Sequence, residues 1–89
     1  MRMAERIHRV LTEGLAPADV AVTDDSHRHA GHAGNPDGAG ETHFTVEVVS
    51  PVFAGLSRVA RHRRVTSLLA AEFDRGLHAL QLNLRAPGE

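Results

Sequence analysis

The chain has 89 residues, with ten Lys plus Arg against eleven Asp plus Glu and a net charge of −1. With 42% hydrophobic residues it can bury a core, while the near-neutral charge excludes a generic polycation or an acidic tail. There is no cysteine, which excludes a disulfide framework, a thiolate nucleophile and a self-contained cysteine-ligated cluster, and there are seven histidines.

From Met3 to Leu15 the apolar residues Met3, Ile7, Val10, Leu11 and Leu15 recur at helical spacing, and Gly14 and Pro17 offer a stop. Nothing at the N-terminus reads as a signal peptide, and no apolar run approaches the roughly 20 residues needed to span a bilayer, so the expectation is a soluble, cytoplasmic protein. Asp19 to Asp24 alternates, with Val20 and Val22 on one side and Ala21 and Thr23 on the other, which predicts a short half-buried strand. His43 to Ser50 alternates more clearly, with Phe44, Val46 and Val48 opposite Thr45 and Glu47. Between these strands, residues 26–41 form a Gly-rich stretch, predicted to be a long, flexible and exposed loop. Pro51, Gly55 and Ser57 punctuate the segment after the second strand, with a short helical turn at Val52 and Phe53. Ser57 is the expected N-cap of a helix running to about Asp74. Val59, Val65, Leu68, Leu69 and Phe73 are its expected buried stripe, with Arg58, Arg61 and Arg64 on the wetter side. Gly76 ends it. Ala79 to Arg85 alternates again through Leu80, Leu82 and Leu84, and Pro87 to Glu89 reads as a frayed tail.

This order predicts one α+β domain over residues 1–89. The helical crossover from second to third strand makes those two parallel, with a right-handed connection, so the sheet is three-stranded and mixed, with helices on one face.

The residues that carry chemistry are few. No serine sits in a nucleophile elbow, and the adjacent Asp24 and Asp25 do not converge as a general acid and base would. Enzyme activity is not expected. His27, His29 and His32 stand close together in the Gly-rich loop, and imidazole is a good ligand for borderline metals, so a stand-alone histidine-loop metal site is one reading. His78, His43, His62 and His8 default individually to structural or surface roles. Arg58, Arg61, Arg63 and Arg64 make the helix after Ser57 locally basic, a pattern that could meet nucleic-acid phosphates but equally keeps a helix surface wet. Gly31-His32-Ala33-Gly34 spells GxxG, but between strands rather than between helices.

Asp25-Ser26-His27-Arg28-His29, Glu41-Thr42-His43-Phe44, Val49-Ser50, Phe53-Ala54-Gly55, Arg61-His62-Arg63 and His78-Ala79-Leu80 occur in the order seen in the BolA family, which the chain resembles from Val20 to Leu84. The resemblance implies a KH-like α-β-β-α-α-β domain without a GxxG clamp between helices. It implies a monothiol glutaredoxin of the CGFS type as partner, with a glutathione-containing [2Fe-2S] cluster shared between the two proteins and none bound to the isolated chain. The family's histidine at the start of the last strand maps onto His78, and its loop ligand onto His29, with His32 as the alternative. It also implies iron–sulfur client proteins and, as a second function, stress-linked transcriptional regulation, with DNA as the partner of Arg58, Arg61, Arg63 and Arg64.

Overall fold

A computed structural model of the chain describes residues 2–25 and 43–89. The predicted loop, with His27, His29 and His32, lies outside the described residues.

Helix α1, Met3–Gly14, buries Met3, Ile7 and Leu11 along one stripe, and Leu15 continues the stripe just past its end. Gly14 lies so close to the later helix that a Cβ there would come within 2.8–2.9 Å of the Leu68 methyl groups. Strand β1, Asp19–Asp24, pairs antiparallel with β2, His43–Val49, in the register Asp19 to Val49 and Asp24 to Phe44. Strand β3, Ala79–Arg85, pairs parallel with β2, so that His43 stands opposite Ala79 and Val49 opposite Arg85. The sheet order is β1-β2-β3 with β2 in the centre. Phe44, Val46 and Val48 point from β2 into the core, while Glu47 on the other face is exposed. The polar outer face explains why the helices among the described residues gather on the opposite side.

Ser50 closes one end of this layer. Its buried hydroxyl donates to the Leu15 carbonyl at 2.7 Å and accepts from the Val52 amide at 3.3 Å, while its own amide bonds the Arg85 carbonyl at 2.9 Å. The end of α1, the ends of β2 and β3, and the following 3-10 turn, Pro51–Phe53, are thus tied at one residue. That turn is the short helical turn expected from sequence, and it buries Phe53 completely.

The expected helix from Ser57 to about Asp74 is instead two helices. Ser57 does cap the first, accepting from the Ala60 amide at 3.1 Å. Helix α2, Arg58–Leu68, ends where Leu69 leaves helical geometry at φ −97°, ψ 11°, and α3 covers Ala70–Asp74. The break carries Leu69 into the core and changes which later residue turns inward. A continuous stripe through Val65 and Leu69 would bury Phe73. Beyond the break it is Glu72 that is buried, and Phe73 is 39% exposed. Val59, also expected inside, is 57% exposed and shares the outer face of α2 with Arg58, His62, Arg63 and Thr66.

A buried carboxylate ties α1 to α3. Arg6 Nε of α1 donates to both carboxylate oxygens of Glu72 at 3.0 Å, and Arg75 Nη1 approaches the same carboxylate at 3.5 Å. The C-terminal segment is tethered rather than frayed. Ala86 is buried, and the Glu89 carboxylate receives Arg61 and the Ala86 amide.

Candidate functional site

Among the described residues, chemistry-bearing side chains gather where β1 ends and β2 and β3 begin. Gly76, with φ +115°, turns the chain out of α3, a conformation available to glycine at little cost. Leu77 then anchors the turn: its side chain is buried and its amide bonds the Glu72 carbonyl at 3.0 Å. His78, the next residue, is held at the surface just before β3.

The parallel register does the rest. His43 is the first residue of β2 and lies opposite Ala79, so its ring comes beside that of His78, with centroids 5.3 Å apart and planes inclined at 60°. Asp25 completes the neighbourhood, its amide bonding the His43 carbonyl at 2.8 Å and its carboxylate receiving the Thr45 hydroxyl. A shallow depression lined by Asp25, His43, Thr45, Ala79, Leu80 and Gln81 opens here. Both anchors of segment 26–42, Asp25 and His43, belong to this end of the sheet.

Sequence reasoning assigned His43 a structural role by default and so missed its partnership with His78. The signal was available in principle, because a parallel crossover aligns the start of β2 with the start of β3. His62 sits elsewhere, its Nδ1 donating to the Arg58 carbonyl at 2.9 Å on α2, and His8 is exposed on α1. Among the described residues no group of three or more His, Asp or Glu side chains is arranged to hold a metal ion. A metal centre at His78 would therefore draw further ligands from segment 26–42 or from another molecule.

The basic helix divides into two kinds of arginine. Arg58, Arg63 and Arg64 are exposed. Arg61 is not on the wetter side expected of it, since its side chain is only 13% exposed. Its Nε donates to the Leu56 carbonyl at 3.1 Å, Nη1 to the Leu84 carbonyl at 3.3 Å, and Nη2 to Glu89 at 2.7 Å, with the guanidinium 5.9 Å from the Phe53 ring centroid. Helical spacing explains the difference: Arg61 precedes buried Val65 by one turn and so lies on the inner face. Hydrogen bonds from Arg61, then from the Ala86 amide, hold the Glu89 carboxyl down at about 2, and the bond to Glu89 raises the Arg61 guanidinium.

The profile of the BolA-like protein family matches residues 11–89. The chain belongs to the BolA-like family. The UV-induced protein uvi31 of Schizosaccharomyces pombe is 49% identical over 85 residues, covering 92% of this chain and 82% of that protein. A DNA-binding transcriptional regulator, BolA of Escherichia coli, is 39% identical over 83 residues, covering 93% of this chain and 74% of its own. Two solved structures share the fold. BolA1 from Arabidopsis thaliana superposes with a TM-score of 0.84 at 42% identity, covering 98% of this chain and 94% of that one. The BolA domain of SufE1 from the same plant gives 0.83 at 42% identity, covering 94% and 91%. The α+β fold with a mixed three-stranded sheet and helices on one face is therefore that of solved BolA-like proteins. Several relatives bear the names of BolA-like or regulatory proteins, in keeping with a non-enzymatic role for this one. Among the described residues, no helix is long and apolar enough to cross a membrane.

Proposed function

We propose that this BolA-like protein is a non-enzymatic iron–sulfur adaptor, which docks a monothiol CGFS glutaredoxin in the cytoplasm and co-ligates a glutathione-containing [2Fe-2S] cluster as cargo. The observation that carries this reading is the exposed His78 beside His43, at the sheet end where segment 26–42 is anchored. Two imidazoles are too few to hold a cluster, and an adaptor needs no more, because the partner supplies the thiolates. His78 is the assigned ligand, His29 the second, and His32 the alternative to it. Imidazole in place of thiolate changes the charge of an iron–sulfur centre and raises its potential, so docking here would alter both the stability and the redox poise of the cargo.

The test is anaerobic reconstitution with the glutaredoxin and glutathione, followed by visible absorption and circular dichroism. Wild type should give a heterodimer spectrum that His78→Ala abolishes, and whichever of His29→Ala and His32→Ala alters it marks the loop ligand. An unchanged glutaredoxin spectrum with no complex would overturn the reading. Uptake of a metal by the chain alone, with equal stoichiometry in His78→Ala, would favour the stand-alone histidine-loop site.

A second reading is supported by the exposed Arg58, Arg63 and Arg64 and by the regulator name of the Escherichia coli relative. These arginines would meet DNA phosphates from the outer face of α2, and Arg61 could join them only after release from Glu89. Affinity should then fall steeply with salt, and a flat salt dependence would exclude it.

A further inference from the structure

The far end of β3 carries a second constellation that the iron–sulfur reading does not use, although the DNA reading shares Arg58 and Arg61 with it. Leu84 is six residues beyond His78, roughly 20 Å along an extended chain. Here α2 and β3 flank a groove of about 500 Å³, lined by Leu56, Arg58, Arg61, His62, Leu82 and Leu84 among others. Three donors converge on one carboxylate at its edge: Glu89 Oε1 accepts from Arg61 Nη1 and from the Ala86 amide at 3.0 Å, and Oε2 accepts from Arg61 Nη2 at 2.7 Å. The receptor is preorganised, because Arg61 is pinned to the Leu56 and Leu84 carbonyls and lies against Phe53. The group that fills it is not, since the Glu89 side chain is 42% exposed and follows exposed Pro87 and Gly88.

Beside this receptor β3 offers a sheet edge. Among the described residues β2 is its sole strand neighbour, and the seven residues Ala79–Arg85 include neither proline nor lysine, the usual devices that blunt an edge. Leu82 and Leu84 are half-buried, whereas Arg85 and the other two groove-lining residues of β3, Gln81 and Asn83, are exposed. An added strand would gain main-chain hydrogen bonds from β3 short of Leu84, whose carbonyl already accepts from Arg61, together with apolar contacts at alternate positions and a fixed guanidinium for its own carboxylate.

From this geometry we infer that the α2–β3 groove is a docking site for an extended acidic segment of a partner protein, which adds to the β3 edge and places a carboxylate on Arg61 in exchange for Glu89. Glu89 is thus an internal stand-in for the partner's acidic residue. The inference does not depend on the iron–sulfur reading, because it rests on Arg61, Glu89 and the β3 edge and on no residue assigned to iron.

The test uses the full chain and a fluorescein-labelled decapeptide alternating valine with glutamate, against the same peptide with glutamine for glutamate and against an oligo-thymidine 10-mer. Wild type should prefer the glutamate peptide. Glu89→Gln removes the internal competitor and should tighten that peptide roughly two- to fivefold, the range set by a solvent-exposed ion pair. Arg61→Gln should erase the preference for glutamate over glutamine. Hydrogen exchange on wild type and Glu89→Gln should show slowing at the β3 amides on peptide addition, a readout that does not rely on Arg61 variants folding well. Equal affinity for the two peptides, no gain in Glu89→Gln, no protection of β3, or binding of the oligonucleotide in preference to the peptide would each overturn the inference.

Discussion

Arg6 of α1 and Glu72 of α3, 66 residues apart in sequence, form an ion pair in which one nitrogen serves both carboxylate oxygens at 3.0 Å. Glu72 is 4% exposed, whereas the Arg6 side chain is 25% exposed, so the acid is the member that lacks water. Removing one partner of such a pair leaves the other incompletely compensated. Arg6→Ala should therefore cost about 2–3 kcal/mol, somewhat below the cost for a fully buried pair because Arg75 remains near Glu72. Urea denaturation of Arg6→Ala, Glu72→Gln and the double variant would show the double costing less than the sum of the singles. Strict additivity would mean that the pair does not hold the layer.

Ser50 joins four elements through one hydroxyl and one amide. Ser50→Ala leaves the Leu15 carbonyl without its donor in a site closed to water, at a cost of about 1–3 kcal/mol. For a domain of this size the melting temperature should fall by about 4–8 °C per kcal/mol. A calorimetric shift below 2 °C, roughly, would argue against the joint.

The break at Leu69 makes a paired prediction about apolar residues that the sequence treats alike. Leu69→Ala should cost about 2–5 kcal/mol, as expected for a fully buried leucine. Val59→Ala should change stability by less than about 0.5 kcal/mol, since Val59 is 57% exposed and alanine favours the helix. Parallel chemical denaturation distinguishes them directly.

The Arg61–Glu89 contact has a definite acid dependence. Its carboxyl titrates at about 2 when folded, against an ordinary value of 4.5. A depressed carboxyl contributes stability that is fully present above the ordinary value and is lost as pH falls from 4.5 through about 2. The carboxyl carbon signal of Glu89 should show this low midpoint by NMR, and Arg61→Gln should return it toward the ordinary range. In Glu89→Gln the corresponding part of the acid dependence should vanish. A normal midpoint in the wild type would mean that the tail is not tethered in solution.

The alternation of Val20 and Val22, of Phe44, Val46 and Val48, and of Leu80, Leu82 and Leu84 was enough to place three strands, and the stripe through Ile7 and Leu11 to place α1. Those patterns are legible because burying one face of a regular element imposes its own period on the sequence. The helical crossover likewise required β2 and β3 to be parallel, as they are. Residues 26–42 lie outside the described part of the chain, so His29 and His32 stand on ligand chemistry and family resemblance, whereas His78 can be placed.

Tertiary structure decided what periodicity treats as interchangeable. Arg61 and Arg64 are both arginines on one helix, yet only Arg61 shares a face with Val65, and carbonyls of Leu56 and Leu84 make its burial tolerable. Phe73, expected inside, is exposed, and beyond the break at Leu69 it is Glu72 that faces inward, toward Arg6. His43 looked like an ordinary strand opener until the register set it beside His78. Periodicity placed α1, the three strands and their inward faces, which are local consequences of chain geometry and hydrophobicity, but not the break at Leu69 or the exposure of Val59 and Phe73. Which charged side chains are buried, and which two histidines meet, followed only from how those elements pack, because such pairings join residues far apart in the chain.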